Sequence, residues 1–125
     1  MDFYIASSFS NKNLVRYIAQ KLIIKGFRQT YDWTKNVRAD TPATLQSTGE
    51  LEKNAVASSD IFILLLPGGK GSHTELGIAL ALGKRVYIYS EEALDPVSCP
   101  SFYFVKGVER FHGKKDDFIS TIGLV

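Results

Sequence analysis

Glu75 is the only charged residue between Lys70 and Lys84, and it stands where a glycine-rich loop meets an apolar segment. The loop reads Pro67-Gly68-Gly69-Lys70-Gly71-Ser72-His73-Thr74-Glu75, and Leu76 to Leu82 follow it. Glycines let backbone approach a ligand closely, which makes Gly69, Gly71 and the neighbouring Ser72 candidate substrate contacts. A carboxylate facing such a loop can serve as nucleophile or as acid and base. Ser72 to Glu75 also fits the S-x-x-E capping box, in which the glutamate only closes a helix start. Two phosphate-binding fingerprints fail on spacing. Lys70 is followed by Gly71 where a Walker A loop needs Ser or Thr, and a G-x-G-x-x-G run from Gly69 meets Thr74 at its last position.

Glu52 is the second carboxylate of interest. It shares a helical stripe with Leu45, Gly49 and Val56, so it is either a solvated edge residue or a carboxyl buried for a purpose. Ser7, Ser8 and Ser10 lead into a helix, where hydroxyls and free N–H groups suit an anion, although ordinary capping needs one serine alone. Tyr4 lies in a core strand and is either packing or a substrate contact. Trp33 closes the next strand and can stack on a flat ring or cover the core. His73, among the loop residues, reads as solvated. No His, Cys, Asp or Glu cluster has metal-ligand spacing, and no cofactor is implied.

These residues need elements to hold them. Phe3–Ala6 predicts a buried strand, and Leu14, Ile18 and Leu22 predict a helix ending near Gly26. Phe27–Trp33 predicts a second strand, 34–43 a loop, and Ala43–Ser58 a helix. Ile61–Leu66 reads as a strand buried on both faces, Thr74–Leu82 as a helix apolar nearly all round, and Arg85–Tyr89 as a fourth strand. Phe102–Val105 is a candidate fifth strand and Lys115–Ile122 a last helix. The alternation predicts one α/β domain over residues 1–125, a flavodoxin-like or Rossmann-like three-layer sandwich on a four- to five-stranded parallel sheet. Ligands of such folds sit beyond the carboxyl ends of the strands at the topological switch point. That places the candidate site at Ser7–Ser10, Trp33–Lys35 and Pro67–Glu75.

Three segments together resemble the nucleoside 2-deoxyribosyltransferase family and its 2′-deoxynucleoside 5′-monophosphate N-hydrolase relatives. They are Tyr4-Ile5-Ala6-Ser7-Ser8, Ala57-Ser58-Ser59-Asp60, and Gly71-Ser72-His73-Thr74-Glu75-Leu76-Gly77-Ile78-Ala79 with Gly83-Lys84. The resemblance covers roughly residues 2–90. It implies a glutamate nucleophile at Glu75, which attacks the anomeric carbon and forms a covalent glycosyl–enzyme ester. It places the leaving-group acid at Glu52, where the family has an aspartate, one methylene shorter. It maps 5′-phosphate binding onto Ser7, Ser8 and Ser10. The implied partner is a small-molecule nucleoside or nucleotide. A TIR-like NAD-cleaving domain and a non-catalytic nucleotide-binding module are the competing readings.

Composition sets the outer bounds. The chain has 125 residues, 45% hydrophobic and 22% charged, with 15 basic and 13 acidic side chains and a net charge of +2. That balance points to neither a nucleic-acid nor a membrane partner. The longest apolar run is the six residues Ile61–Leu66, against about 20 for a membrane span. Cys99 is alone, and Met1-Asp2-Phe3 opens no signal peptide, so a cytoplasmic chain is expected. The resemblance implies a homodimer or higher homo-oligomer whose site is completed by residues 90–105 of a neighbour. Light scattering at micromolar concentration is expected to give a dimer or larger closed assembly, and a monomer alone would contradict it.

Overall fold

Helix and strand signals resolve, in a computed structural model describing residues 1–123, into five parallel strands and four α-helices. The strands are β1 (Asp2–Ala6), β2 (Arg28–Gln29), β3 (Ile61–Leu65), β4 (Arg85–Ser90) and β5 (Val108–His112). The helices are α1 (Lys12–Ile24), α2 (Pro42–Ser58), α3 (Lys70–Ala81) and α4 (Lys115–Thr121). The sheet order is β2-β1-β3-β4-β5, all parallel. This is the flavodoxin-like order, whose direction reverses between β1 and β3. Helices α1 and α4 pack on one face, and α2 and α3 on the other. Among the described residues no helix is long and apolar enough to cross a membrane.

Strand periodicity decides which side chains face which layer. Tyr4 of β1 is registered against Phe62 of β3, and their rings stack 6.1 Å apart. Both lie under α2 and α3. Tyr87 and Tyr89 of β4 point the other way and pack on Phe118 of α4. All five residues of β3 are buried, as expected for a central parallel strand covered on both sides.

Three elements differ from the sequence expectation. The second strand is two residues long instead of spanning Phe27–Trp33. Asp32 caps a 3-10 turn over Trp33–Lys35 by accepting from the Thr34 N–H at 3.0 Å, which ends the extended run. The fifth strand is Val108–His112, while Ser101–Phe104 forms a 3-10 turn entered through Pro100. β5 is an edge strand with only Val108 buried, so its alternation in sequence is faint. The third helix begins at Lys70, not Thr74, and it is not buried all round, since Thr74, Gly77 and Leu82 are exposed at its surface or end.

Phe118 is fully buried against Tyr87 and Tyr89, on the layer opposite Tyr4. Phe118→Ala is therefore expected to lower stability by about 3–5 kcal/mol, read as a reduced urea midpoint. The α2/α3 layer should keep its structure.

Candidate active site at the β1/β3 switch point

The start of α3 decides where Glu75 points. Gly69 is the N-cap, and the Ser72 hydroxyl accepts from the Gly69 N–H at 2.7 Å while donating to the Gly69 carbonyl at 2.9 Å. The capping function therefore belongs to Ser72, three residues ahead of Glu75. The expectation that Glu75 closes a capping box is incorrect. Its carboxyl instead turns inward and accepts from the Tyr4 hydroxyl at 2.8 Å.

Tyr4 has no exposed surface, so its hydroxyl serves carboxyl groups and not a ligand directly. Burial, and then the charges of Glu75 and Glu52, push its phenol well above the ordinary tyrosine range. It stays protonated and is a permanent donor. Burial pushes Glu75 up to about 7, with the Tyr4 hydroxyl opposing the shift and the charge of Glu52 adding to it. Glu52 reaches the same place from α2. It is half-buried, burial raises its pKa, and the Tyr4 hydroxyl again opposes. One phenol on the sheet thus underlies two carboxyls from two helices.

Above them opens a cavity of about 650 Å³ whose walls include Glu75, Glu52, Ser7, Ser8, Trp33, Gly69, Gly71 and Ser72. Eight of the ten residues singled out in the sequence come together here. Tyr4 lies beneath the cavity, and Ser10 lies outside it, on the surface beside Ser8 with hydroxyls 3.0 Å apart. Ser7 is engaged within the protein: it donates to the Leu65 carbonyl at 2.7 Å and accepts from the Asn11 amide at 2.9 Å, tying β1 to β3. The Ser8 N–H donates to the Pro67 carbonyl at 3.2 Å, while its hydroxyl meets only that of Ser10 among the described residues. Gly69 and Gly71 have nothing within 4 Å of where a Cβ would stand, so protein packing does not demand glycine there. Gly68 is the position that packing does restrict, because a Cβ would meet the Ser72 hydroxyl at 2.6 Å.

Trp33 is nearly buried, its indole N–H donates to the Ile5 carbonyl at 2.7 Å, and Phe9 tilts against it 5.7 Å away. Arg16 braces this turn through Thr34, with bonds of 3.1 and 2.8 Å. His73 is not solvated as its sequence context suggests. Its ring bonds to the Gly69 carbonyl at 2.7 Å and to the Tyr103 hydroxyl at 2.6 Å, and stacks on Tyr103. It fastens the segment before β5 to the first turn of α3.

Sequence reasoning missed the wall from the β2–α2 connection, Asn36 to Ala39, with Leu45 and Thr48 of α2. Its one available signal was position: the connection leaves the carboxyl edge of the sheet beside the switch point. A larger cavity, about 800 Å³, opens on the α1/α4 side, but its carboxylates Glu91 and Asp116 are exposed. No group of three or more His, Cys, Asp or Glu among the described residues could hold a metal ion.

No protein-family model matches the sequence, and no curated protein matches it either. Solved structures do share the fold. A CMP N-glycosidase from Clostridium botulinum superposes with a TM-score of 0.67 over 96% of each chain at 20% identity. A 2-deoxyribosyltransferase from Bacillus psychrosaccharolyticus gives 0.60 at 18% identity, covering 78% of this chain and 79% of that one. A 2-deoxyribosyltransferase from Leishmania mexicana gives 0.54 at 20% identity, over 86% and 76% of the two chains. The shared α/β architecture matches the one expected from the sequence.

The raised Glu75 pKa has a consequence for stability. Between the 4.5 of an exposed carboxyl and about 7, the unfolded chain releases a proton that the folded chain keeps. Stability therefore falls as pH rises through that window and levels off above it. Glu75→Gln removes the charge and retains an oxygen for Tyr4 to bond. The variant is expected to be more stable than the wild type at pH 8, by up to about 3 kcal/mol, and equal to it near pH 4. Urea unfolding at the two pH values checks this.

Proposed function

We propose that this protein cleaves or transfers at the N-glycosidic bond of a nucleoside or its 5′-monophosphate, with Glu75 as nucleophile and Glu52 as leaving-group acid. The observation that carries the reading is the pair of carboxyls that Tyr4 underlies at the wall of a cavity. The solved N-glycosidase and deoxyribosyltransferases of the same fold support it. Exposed Leu45 and Leu51, on a helix of 17 residues with only Ala55 and Val56 buried, support a working homo-oligomer.

The chemistry follows from the charges. As the C1′–N bond lengthens, positive charge grows on the sugar ring and the bond's electron pair leaves with the base. The free Oε of Glu75 attacks C1′ and forms a glycosyl ester, while Tyr4 holds the other oxygen in place. Glu52 gives its proton to the departing base. Water or a second base then attacks C1′, its proton passing to the now ionised Glu52, and the C1′–O bond to Glu75 breaks. The two carboxyls titrate as a pair, and the productive form carries its single proton on Glu52. Growing positive charge on the sugar favours ionised Glu75 and so selects that form.

Purified protein incubated with nucleosides, deoxynucleosides, their 5′-monophosphates and NAD, with free base followed by chromatography, tests the reading. Base release from a nucleoside or monophosphate is expected. Release from NAD alone would favour the TIR-like reading, and no release from any would reject both. Glu75→Gln should lower turnover by several powers of ten with the fold intact. Glu52→Gln should slow natural bases far more than a nitrophenyl deoxyriboside, whose leaving group departs without a proton. Equal slowing of both would remove Glu52 from the acid role. Tyr4→Phe withdraws the donor that favours ionised Glu75, so the rising acid limb of the pH–rate profile should move to higher pH.

A further inference from the structure

The cavity that holds Glu75 and Glu52 is lined by two kinds of group: Ser8, Gly69, Lys70 and Gly71, which offer backbone and polar atoms, and the apolar side chains of Phe9, Trp33, Val37 and Leu45, with Phe9 and Trp33 in ring contact. A base presents two apolar π faces and a polar edge, so the apolar lining suits the base. Polar groups for the edge of a base come from the β2–α2 connection. Arg38 lines the cavity there and makes no hydrogen bond or ion pair among the described residues. Asn36 donates its side-chain N–H to the Tyr31 hydroxyl at 2.6 Å, which leaves its carbonyl oxygen without a protein partner.

We propose that Arg38 reads the leaving base, and that the base is one carrying a ring carbonyl, a 6-oxopurine or a 2-oxopyrimidine. The inference rests on the glycosidic reading of the site. A guanidinium is donor-only, planar and always charged, so it pairs with an edge that offers a carbonyl oxygen. Adenine has an amino donor where the 6-oxopurines have that oxygen, and two donors repel. The unpartnered Asn36 oxygen complements an N–H on the same base. The contact also acts on departure. The electron pair of the breaking C1′–N bond delocalises from the ring nitrogen onto the carbonyl oxygen, where a guanidinium stabilises it until Glu52 delivers the proton.

The test uses Trp33, the only tryptophan of the chain, whose fluorescence reports occupancy whether or not turnover follows. Deoxyuridine, deoxycytidine, deoxyinosine and deoxyadenosine, each with and without a 5′-phosphate, are titrated into the wild type, Arg38→Ala, Arg38→Lys and Lys35→Ala. Base release is measured in parallel. The carbonyl-bearing bases should bind more tightly than adenine, and Arg38→Ala should weaken them alone by about tenfold to a hundredfold. Arg38→Lys, which keeps the charge and loses the planar fork, should recover only part of this. Lys35, which the sequence placed at the site edge, is exposed and does not line the cavity, so Lys35→Ala should change nothing. Equal weakening of all four bases, or none, overturns the proposal. Weakening confined to the 5′-monophosphates, whatever the base, assigns Arg38 to the phosphate and also overturns it. Selective binding without base release in the wild type sustains Arg38 as a base reader and rejects the glycosidic reading. The absence of both a fluorescence response and base release rejects both.

Discussion

A carboxyl group partly withdrawn from water over a single phenol is the constraint around which the α2/α3 layer is arranged. Burial raises the pKa of Glu75 to about 7, against 4.5 for an exposed glutamate. The difference corresponds to about 3 kcal/mol of unfavourable free energy for the ionised form. Such a cost is tolerated where surrounding structure fixes the group's position. Here the fixing starts at the sheet. The β1–β3 register sets Tyr4 beside Phe62, the stacked rings give the phenol no alternative place, and its hydroxyl emerges under the helices. Ser72 then determines where α3 begins, and so which of its side chains descends onto that hydroxyl.

The switch point supplies the remaining geometry. At the carboxyl ends of β1 and β3 the two chains turn away in opposite directions, leaving a gap that no helix fills. Ser7 bridges the gap at its base by bonding the Leu65 carbonyl and the Asn11 amide. Above that clamp the walls are mostly glycine backbone and hydroxyls on one side and the Trp33 turn on the other. The rigid parts are therefore those that hold the carboxyls, and the open parts are those that would meet a substrate. The hydroxyl and ring of Tyr103, bonded to and stacked on His73, extend the rigid set to the segment before β5.

Much of this was legible because the strong signals were long and apolar. Ile61–Leu65, the α1 stripe and the isolated glutamate before Leu76 each admitted few structural readings. The losses came where local chemistry competes with periodicity. Phe27 to Trp33 has the period of a strand, but Asp32 caps a turn inside it. Gly69 and Gly71 have low helix propensity and mask a helix that Ser72 starts three residues ahead of the expected box. Phe102–Val105 is as apolar as a strand, yet Pro100 and the contacts of Tyr103 hold it in a 3-10 turn. His73 looked solvated because its partner is 30 residues away. Nothing in one sequence announces such a pair.

The blind region has a functional logic of its own. Residues 36–39 have no apolar periodicity, so they could be placed only as loop, and they build part of the cavity wall. The proposed catalytic groups sit on a strand and two helices, which suits a reaction that needs a fixed carboxyl over a fixed donor. Discrimination between bases has the opposite requirement. It depends on which donors and acceptors meet an edge, and a loop can exchange these without disturbing the sheet. The solved enzymes at 18–20% identity share the architecture. On the proposed reading, selectivity is left to Asn36 and Arg38, on a segment outside the buried core.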